Sequence, residues 1–259
     1  MDRTNEGGLT VVRSMHRYGL IGRGLSHSFS RDHFTWKFEQ EGLADHRYDL
    51  FELDRIEDLP ALLAATPDLR GLNVTIPYKQ AVLSYMHALD HVAAAAGAVN
   101  TIAIREGRLT GYNTDVEGFR TSLLELLGHA RPRALVLGSG GASRAVAYVL
   151  KELGIKFRVV SRSRERGDLT WDLLDPIVIK ACPLIINTTP LGMFPDVNSA
   201  PELPYDAIGP RHILVDLVYN PERTVFLRHG ERKGASIMNG MPMLIAQAEA
   251  SWRIWQEQA

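Results

Sequence analysis

One lysine and one aspartate occupy positions that fit proton-transfer chemistry. Lys79 stands in GLNVTIPYKQ, where a β-branched, strand-like segment gives way to a proline and then to polar residues. Asp115 ends GYNTD, between a predicted hairpin and a predicted helix. A lysine can donate a proton to a substrate oxygen, and a carboxylate can orient it. Each also has a structural interpretation: Lys79 as a solvated residue at a helix start, Asp115 as the N-cap of a helix beginning at Val116.

A glycine-rich loop is the second feature with chemical meaning. VLGSGGASRA follows a predicted strand and opens a predicted helix, which is the context of a dinucleotide-binding fingerprint. Glycines there permit a tight turn and the close approach of a pyrophosphate to the helix N-terminus. A tight strand-to-helix turn without a ligand is the alternative. The predicted cofactor-binding residues of this loop are Gly138, Gly140, Gly141, Ala142 and Ser143, the last holding the third fingerprint position, where glycine or alanine is usual.

Arginines after the next predicted strand favour NADP over NAD. An NAD-binding domain usually places an acidic residue about 20 residues beyond the glycines, on the ribose hydroxyls. This sequence has SRSRER there, and guanidinium groups can bind a 2′-phosphate that a carboxylate would repel. We expect Ser161, Arg162, Ser163 and Arg166 to bind this end of the cofactor, with Arg162 and Arg166 on the phosphate. A solvated basic loop is the alternative.

The composition is that of an ordinary globular protein without a nucleic-acid or membrane partner. The 259 residues are 45% hydrophobic and 23% charged, with a formal net charge of −1. No apolar run reaches the roughly 18 residues of a membrane span, and the N-terminus lacks a signal-peptide pattern, so we expect a cytoplasmic protein. The single cysteine, Cys182, cannot form an internal disulfide, and we interpret it as a packing residue rather than a reactive thiol.

Strand-like and helix-like segments alternate along the chain, which predicts an α/β fold with a parallel sheet covered by helices. A hairpin with Glu106 and Gly107 at its turn is expected before a helix from about Val116 to Leu127. At Arg133 the pattern restarts as a βαβ unit. The repeated pattern therefore predicts two α/β domains.

The predicted boundaries divide the chain into four parts. Residues 1–14 are expected to be an N-terminal extension, 15–115 the first domain, and 116–238 a second, Rossmann-type domain. A closing helix within 239–259 has apolar positions at helical spacing and is expected to join the first domain. The segment from Arg162 to Cys182 leaves little room for a full helix.

Several motifs in a fixed order make the chain similar to a known family. They are GLSHSFS, GLNVTIPYKQ, AGAVNTI, GYNTD, the glycine loop, NTTPLGM, DLVYNPERT and GMPMLIAQA. In this order they resemble shikimate dehydrogenase, over nearly everything from Tyr18 onward. The resemblance implies an N-terminal substrate domain, a C-terminal Rossmann-type NADP domain, and reduction of 3-dehydroshikimate to shikimate on the route to aromatic amino acids.

The resemblance also implies roles for individual residues. Lys79 and Asp115 match the family's catalytic pair. Ser28 and Ser30 match the two serines that bind the substrate carboxylate, for which hydroxyl donors are suited. The remaining matches are Thr75, Asn100 and Gln247 for the ring hydroxyls or the carboxylate, Tyr219 beside substrate and nicotinamide, and Gly240, whose backbone nears the nicotinamide.

The sequence departs from the family at the serine loop. Arg31 stands where the family usually has proline, and Arg23 with Gly24 stands where asparagine and proline are common. The serine spacing is kept, so we keep the carboxylate site. His27 has no second histidine or cysteine at ligand spacing, and we interpret it as structural, with no metal expected.

Three alternatives compete with this interpretation. A quinate/shikimate dehydrogenase would have broader substrate or NAD use, against which the arginines of SRSRER argue. A non-catalytic NADP-binding regulatory homologue would have lost Lys79 or Asp115. An enzyme of the methylene-tetrahydrofolate type would not explain the paired serines. We expect a small-molecule substrate and a monomer or homodimer.

Overall fold

The structure, a computed structural model, describes residues 15–25 and 28–257. The predicted extension at 1–14 and the interpretation of His27 lie outside the described residues. Helices and strands alternate over two sheets, as the sequence pattern predicts. None of the described helices combines the length and the apolar character that a membrane span requires.

The first domain is built on a mixed six-stranded sheet. Its elements are β1 His16–Gly22, α1 Phe29–Gln40, β2 His46–Glu52, α2 Leu59–Ala65, β3 Leu69–Val74, β4 Ala88–Leu89, α3 His91–Ala96, β5 Thr101–Arg105 and β6 Arg108–Tyr112. The strand order is β2-β1-β3-β5-β6-β4. β1 pairs in parallel with β2 and β3, while β5 and β6 form the predicted hairpin. Glu106 and Gly107 make its turn with φ values of 48° and 74°.

The second domain is a fully parallel, doubly wound sheet. Its elements, after α4 Thr114–Leu127, are β7 Ala134–Leu137, α5 Gly141–Glu152, β8 Phe157–Ser161, β9 Leu169–Thr170, α6 Pro176–Ala181, β10 Leu184–Asn187, β11 Ile213–Asp216, α7 Val225–Arg232 and β12 Ser236–Met238. The order β12-β11-β10-β7-β8-β9 is that of a Rossmann fold. Only the two-residue β9, a 3₁₀ turn and the six-residue α6 occupy the segment predicted to be too short for a full helix.

The last helix, α8 Met241–Gln256, packs against the first sheet. The Trp255 ring stacks on Tyr18 at 4.8 Å between centroids, and its Nε1 donates to the Ile102 carbonyl at 3.0 Å. Gly71 makes room for it, because a Cβ there would lie 2.2 Å from the Trp255 indole nitrogen. The chain thus returns from the second domain, and α8 packs on the sheet of the first domain.

The interpretation of Cys182 as a packing residue is confirmed. It is 9% exposed and lies in the apolar cluster on one face of the second sheet. Burial raises the pKa of its thiol, although Arg133 and Arg158 act in the opposite direction. A thiol kept protonated in an apolar setting is a poor nucleophile.

Candidate active site

A cleft of about 600 Å³ lies between the two domains. Polar side chains face it from four places: just after β3, at the start of α4, at the start of α1 and in the middle of α8. The structure brings together in this one cleft every residue predicted to be catalytic or substrate-binding: Ser28, Ser30, Thr75, Lys79, Asn100, Asp115, Tyr219 and Gln247.

Lys79 and Asp115 form an ion pair in this cleft. The distance between Lys79 Nζ and Asp115 Oδ2 is 2.6 Å, and the side chains are 27% and 13% exposed. The backbone carbonyl of Lys79 accepts a hydrogen bond from Val99 N at 2.7 Å, which ties the segment after β3 to the one before β5. An ammonium has three donors, so pairing with one carboxylate oxygen leaves protons for a substrate.

The N-cap interpretation of Asp115 is wrong. Helix α4 begins at Thr114, and its N-cap is Asn113, whose side-chain oxygen accepts from Val116 N at 3.2 Å. Asp115 therefore lies in the first helical turn, where a carboxylate interacts favourably with the helix dipole. The cap is supplied by its neighbour, and both oxygens of Asp115 are directed to other side chains.

Asn100 connects the Lys79–Asp115 pair to the rest of the cleft. Its Nδ2 lies 3.0 Å from Asp115 Oδ1, 2.9 Å from Thr114 Oγ1 and 3.3 Å from Gln247 Oε1. Its Oδ1 accepts from the Thr114 backbone N–H at 2.7 Å. Because Asn100 is buried and its amide is held from both sides, it fixes Asp115 relative to α8.

A deeper layer of polar residues, missed from the sequence, supports Asn100. Asn73 on β3 accepts from the Tyr48 hydroxyl at 2.8 Å. It donates to Thr101 Oγ1 at 3.2 Å and to Ser251 Oγ at 2.9 Å. Asn73 is 4% exposed and lies at the floor of the cleft, and its network holds α8 to the sheet. The signal in the sequence was the asparagine inside the apolar run LNVTI.

The serine loop ends in the N-cap of α1. The Ser28 side chain accepts from Ser30 N at 3.3 Å, and Ser30 follows in the first turn, 9% exposed. Arg31 lies in the same turn and is exposed, with its Nε 3.6 Å from Asp32. The helix accommodates Arg31 without a contact that displaces either serine, so the departure from the family's proline leaves both serines facing the cleft.

Glu249 anchors α1 to α8. Its carboxylate lies 2.8 Å from Lys37 Nζ and 3.0 Å from His33 Nε2. Burial raises the pKa of Glu249, but the hydrogen bonds and charges of Lys37 and His33 outweigh burial, and the net pKa lies below its ordinary value. The helix that carries the serines is thus held to the helix that carries Gln247.

The second domain contributes Tyr219 and Met193 to the cleft. The Tyr219 ring meets the Phe29 ring edge-on at 6.3 Å between centroids, so it approaches the serine loop across the cleft. Burial raises the pKa of the Tyr219 hydroxyl. A neutral hydroxyl at this position can donate to a bound oxygen.

A second groove of about 500 Å³ lies at the carboxyl ends of β7 and β8, where a Rossmann fold binds a dinucleotide. Gly138 has φ 108°, and a Cβ there would lie 2.8 Å from Thr188 Oγ1, so the turn requires glycine. Gly140 is the N-cap of α5, so no side chain at the N-cap accepts a hydrogen bond from the first helical N–H groups. A Cβ on Gly140 would meet nothing within 4 Å, so the helix N-terminus is open to an anion.

Ser161, Arg162, Ser163 and Arg166 line this groove with the two glycines. The residues that sequence reasoning missed there are Ser139, Trp171, Thr188, Thr189, Pro190 and Leu191. Ser139 Oγ lies 3.0 Å from Ser161 Oγ, which joins the loops after β7 and β8.

Four of the residues predicted to bind the cofactor do not line this groove. Gly141, Ala142 and Ser143 form the first turn of α5 beside the groove, and the Ser143 hydroxyl donates to the Gly140 carbonyl at 2.8 Å. Gly240 is the N-cap of α8, where a Cβ would lie 2.1 Å from the Leu217 carbonyl oxygen. The glycine at 240 is therefore required by packing against the chain after β11.

Comparison with known proteins agrees with this geometry. Residues 20–102 match the family model described as the shikimate dehydrogenase substrate binding domain. The chain is 42% identical to the curated shikimate dehydrogenase (NADP(+)) of Moorella thermoacetica, over 95% of this chain and 90% of the relative. The chain belongs to the shikimate dehydrogenase family.

Solved structures of the shikimate dehydrogenase family share the fold. Shikimate 5-dehydrogenase from Thermus thermophilus, in complex with NADP(H) and shikimate, is 34% identical with a TM-score of 0.84, covering 94% of each chain. Quinate dehydrogenase from Corynebacterium glutamicum, in complex with NAD, is 30% identical with a TM-score of 0.84, over 94% of each chain. Both substrate preferences therefore occur on this fold.

Proposed function

We propose that this chain is an NADP-dependent shikimate dehydrogenase that interconverts 3-dehydroshikimate and shikimate in aromatic amino-acid biosynthesis. The observation that carries the proposal is the 2.6 Å pair of Lys79 and Asp115 in a cleft that also presents Ser28 and Ser30. A ketone reduced by hydride leaves an oxygen that needs a proton, and the cleft offers an ammonium to supply it.

Lys79 is the proposed proton donor. In the direction of reduction its ammonium gives a proton to the carbonyl oxygen of 3-dehydroshikimate while the carbonyl carbon receives a hydride. Hydride transfer is the chemistry that NADPH supplies when bound. In the reverse direction the Lys79 amine accepts the hydroxyl proton of shikimate. Asp115 orients Lys79 Nζ in both directions, and the family resemblance gives it a substrate hydroxyl as a second partner.

The other residues of the cleft bind and orient the substrate. Ser28 and Ser30 are proposed to donate to the carboxylate. Thr75, Asn100 and Gln247 supply side-chain groups of the kind that bind ring hydroxyls. Tyr219 closes the cleft from the second domain. Because one set of residues binds the carboxylate and another the hydroxyls, the ring is held in a single orientation toward Lys79.

The groove of the second domain is proposed to bind NADP. Gly138 and Gly140 leave the backbone and the α5 N-terminus open to the pyrophosphate. Arg162 and Arg166, both exposed on the groove, are suited to a 2′-phosphate. We propose residues 15–115 with 239–259 as the substrate domain and 116–238 as the NADP domain. A cytoplasmic location and a monomer or homodimer stay predictions.

The test is the near-ultraviolet absorbance of the reduced cofactor, NADPH from NADP or NADH from NAD, formed by the purified chain with shikimate or with quinate. We expect NADP reduction with shikimate and little with quinate or NAD. Faster turnover of quinate with NAD would instead assign the chain to the quinate-oxidising branch. No turnover with any pairing, in protein that binds NADP, would overturn the proposed activity.

A further inference from the structure

Asp216 is a buried carboxylate for which the proposed chemistry has no use. It ends β11 with 0% exposure. Its Oδ1 accepts from Asn187 Nδ2 at 2.9 Å and from Val218 N at 3.0 Å, and its Oδ2 accepts from Thr224 Oγ1 at 2.6 Å. No salt bridge to Asp216 occurs among the described residues. An ionised group buried without a cation is unusual and calls for a reason.

Asn187, the partner of Asp216 at the end of β10, organises a loop of the cofactor groove. Its Oδ1 accepts from the Thr189 hydroxyl at 2.6 Å and from Thr189 N at 3.0 Å. Its Nδ2 also lies 3.4 Å from the Leu191 carbonyl oxygen. Thr189 and Leu191 line the groove proposed for NADP, so the conformation of this wall depends on how the Asn187 amide is held.

The other partners of Asp216 organise the loop that carries Tyr219. The bond to Val218 N fixes the residue immediately before Tyr219, which lines the substrate cleft. The two loops meet again further out, where Phe194 N donates to the Asn220 carbonyl at 3.1 Å. The Asp216–Asn187 bond at the base therefore joins the wall of the groove to the wall of the cleft.

We propose that the Asp216–Asn187 hydrogen bond is a positioning device that holds the Thr189 loop and Tyr219 in fixed register between cofactor and substrate. The inference rests on the proposed function of the two pockets. Asp216 and Asn187 are positioning residues, since neither is among the described residues that line the groove or the cleft. Small displacements of groups that hold reactants lower catalytic rates steeply.

Removing the charge of Asp216 distinguishes a positioning role from a purely structural one. Burial raises the pKa of Asp216 to about 6, against three hydrogen bonds that lower it. Above that pH the folded protein retains a charge whose burial is unfavourable, so a neutral amide of the same shape should not destabilise the fold. The amide would, however, replace charge-assisted contacts to Asn187 Nδ2 and Val218 N with weaker neutral ones and would require the Thr224 hydroxyl to accept instead of donate, which loosens the register of the loops.

The experiment compares Asp216→Asn and Asn187→Ser with the wild type and with Asp206→Asn, an exposed aspartate of the same domain paired with Lys233. Thermal stability and steady-state kinetics with shikimate and NADP are measured well above the raised pKa of Asp216. We expect Asp216→Asn to keep or raise the melting temperature and to lower kcat/KM at least about tenfold. Asn187→Ser should show a similar loss and the control none.

Kinetics of Asp216→Asn within twofold of the wild type would overturn the proposal, as would a loss of activity that only follows a loss of folded protein. If the wild type does not turn over shikimate, the proposed function fails and the inference is decided by fluorescence titration with NADPH. Weaker NADPH binding by about tenfold in Asp216→Asn, but not in Asp206→Asn, supports the positioning role. Equal affinity overturns it.

Discussion

The substrate cleft and the cofactor groove are built in different ways. In the cleft, side chains bind side chains: Lys79, Asp115, Asn100 and Gln247 form a continuous chain of contacts no longer than 3.3 Å. In the groove, open glycines and a helix N-terminus leave backbone accessible beside the lining side chains. Arg162 and Arg166 of the groove are exposed, whereas Lys79 and Asp115 of the cleft are only 27% and 13% exposed.

The difference in construction matches the proposed role of each pocket. Proton transfer needs a donor held at a fixed position before the substrate arrives, and a buried network provides that preorganisation. Recognition of a phosphate needs charge and an open N-terminus more than a rigid side-chain frame. We therefore expect changes in the cleft to affect the rate or the fold, and changes in the groove to affect the choice of cofactor.

Among the changes that keep Lys79, the largest effect is expected from Asp115→Asn, which removes the charge that holds the lysine. The neutral amide also places a donor opposite the Asn100 amide, so both contacts weaken. We expect kcat to fall by about 10²–10³-fold. The control is Glu117→Gln, in the same first turn, which removes an exposed ion pair with Arg253. A variant Asp115→Asn with a near-normal kcat would show that the network does not orient the lysine.

Asn73→Ala tests the buried hydrogen-bond network at the floor of the cleft. The change leaves the Tyr48, Thr101 and Ser251 hydroxyls without their common partner in a buried site. We expect the free energy of unfolding to fall by about 3 kcal/mol. Urea denaturation measures it.

Tyr48→Phe is the graded control for Asn73→Ala, because it removes only one bond of the same network. Its expected cost is about 1 kcal/mol. Equal costs for the two variants would mean that Asn73 does not act as the centre of the network.

Arg162→Ala tests the groove. Loss of a charge-assisted contact to the 2′-phosphate should lower the preference for NADPH over NADH by about ten- to a hundredfold, with kcat nearly unchanged. The matched control is Arg164→Ala, in the same loop but not among the described residues that line the groove. An unchanged preference in Arg162→Ala would remove Arg162 from 2′-phosphate recognition.

The smallest effect is expected from Glu249→Gln, at the contact between α1 and α8. The partly exposed ion pairs with Lys37 and His33 should contribute less than about 1 kcal/mol at neutral pH.

The effect of Glu249→Gln should depend on pH. The folded-state pKa of Glu249 is lowered, so its stabilisation is fully present above its ordinary pKa of 4.5 and is lost as the pH falls through the folded-state value. Chemical denaturation near neutral pH and at about pH 3 measures the difference between variant and wild type. A difference that grows in acid would contradict this sign.

The comparison also explains which features could be predicted from the sequence. The hairpin turn at Glu106 and the glycine turn at Gly138 are local, and each was predicted because its residue types restrict the backbone. That Lys79 and Asp115 share one site was predicted from motifs, although they are 36 residues apart. These features depend on short segments or on a recognisable order of segments.

The contacts that could not be predicted depend on how separate elements pack. Asn73 and Ser251 are 178 residues apart, and their bond exists only because α8 returns to the first sheet. Asn113 rather than Asp115 caps α4 because the backbone becomes helical two residues earlier than the apolar pattern indicates. The Asp216–Asn187 bond joins the ends of two neighbouring strands, and neither strand alone indicates a buried charge.

The measurement that tests the central claim most directly is the kinetics of Lys79→Ala with shikimate, using NADP and NAD in parallel. If the cleft performs proton transfer and the groove selects the cofactor, kcat should fall by about 10²–10⁴-fold with both cofactors. The KM for shikimate should change far less, because the proton moves in the transition state. An unchanged kcat with a raised KM would contradict the account and leave Lys79 as a binding group.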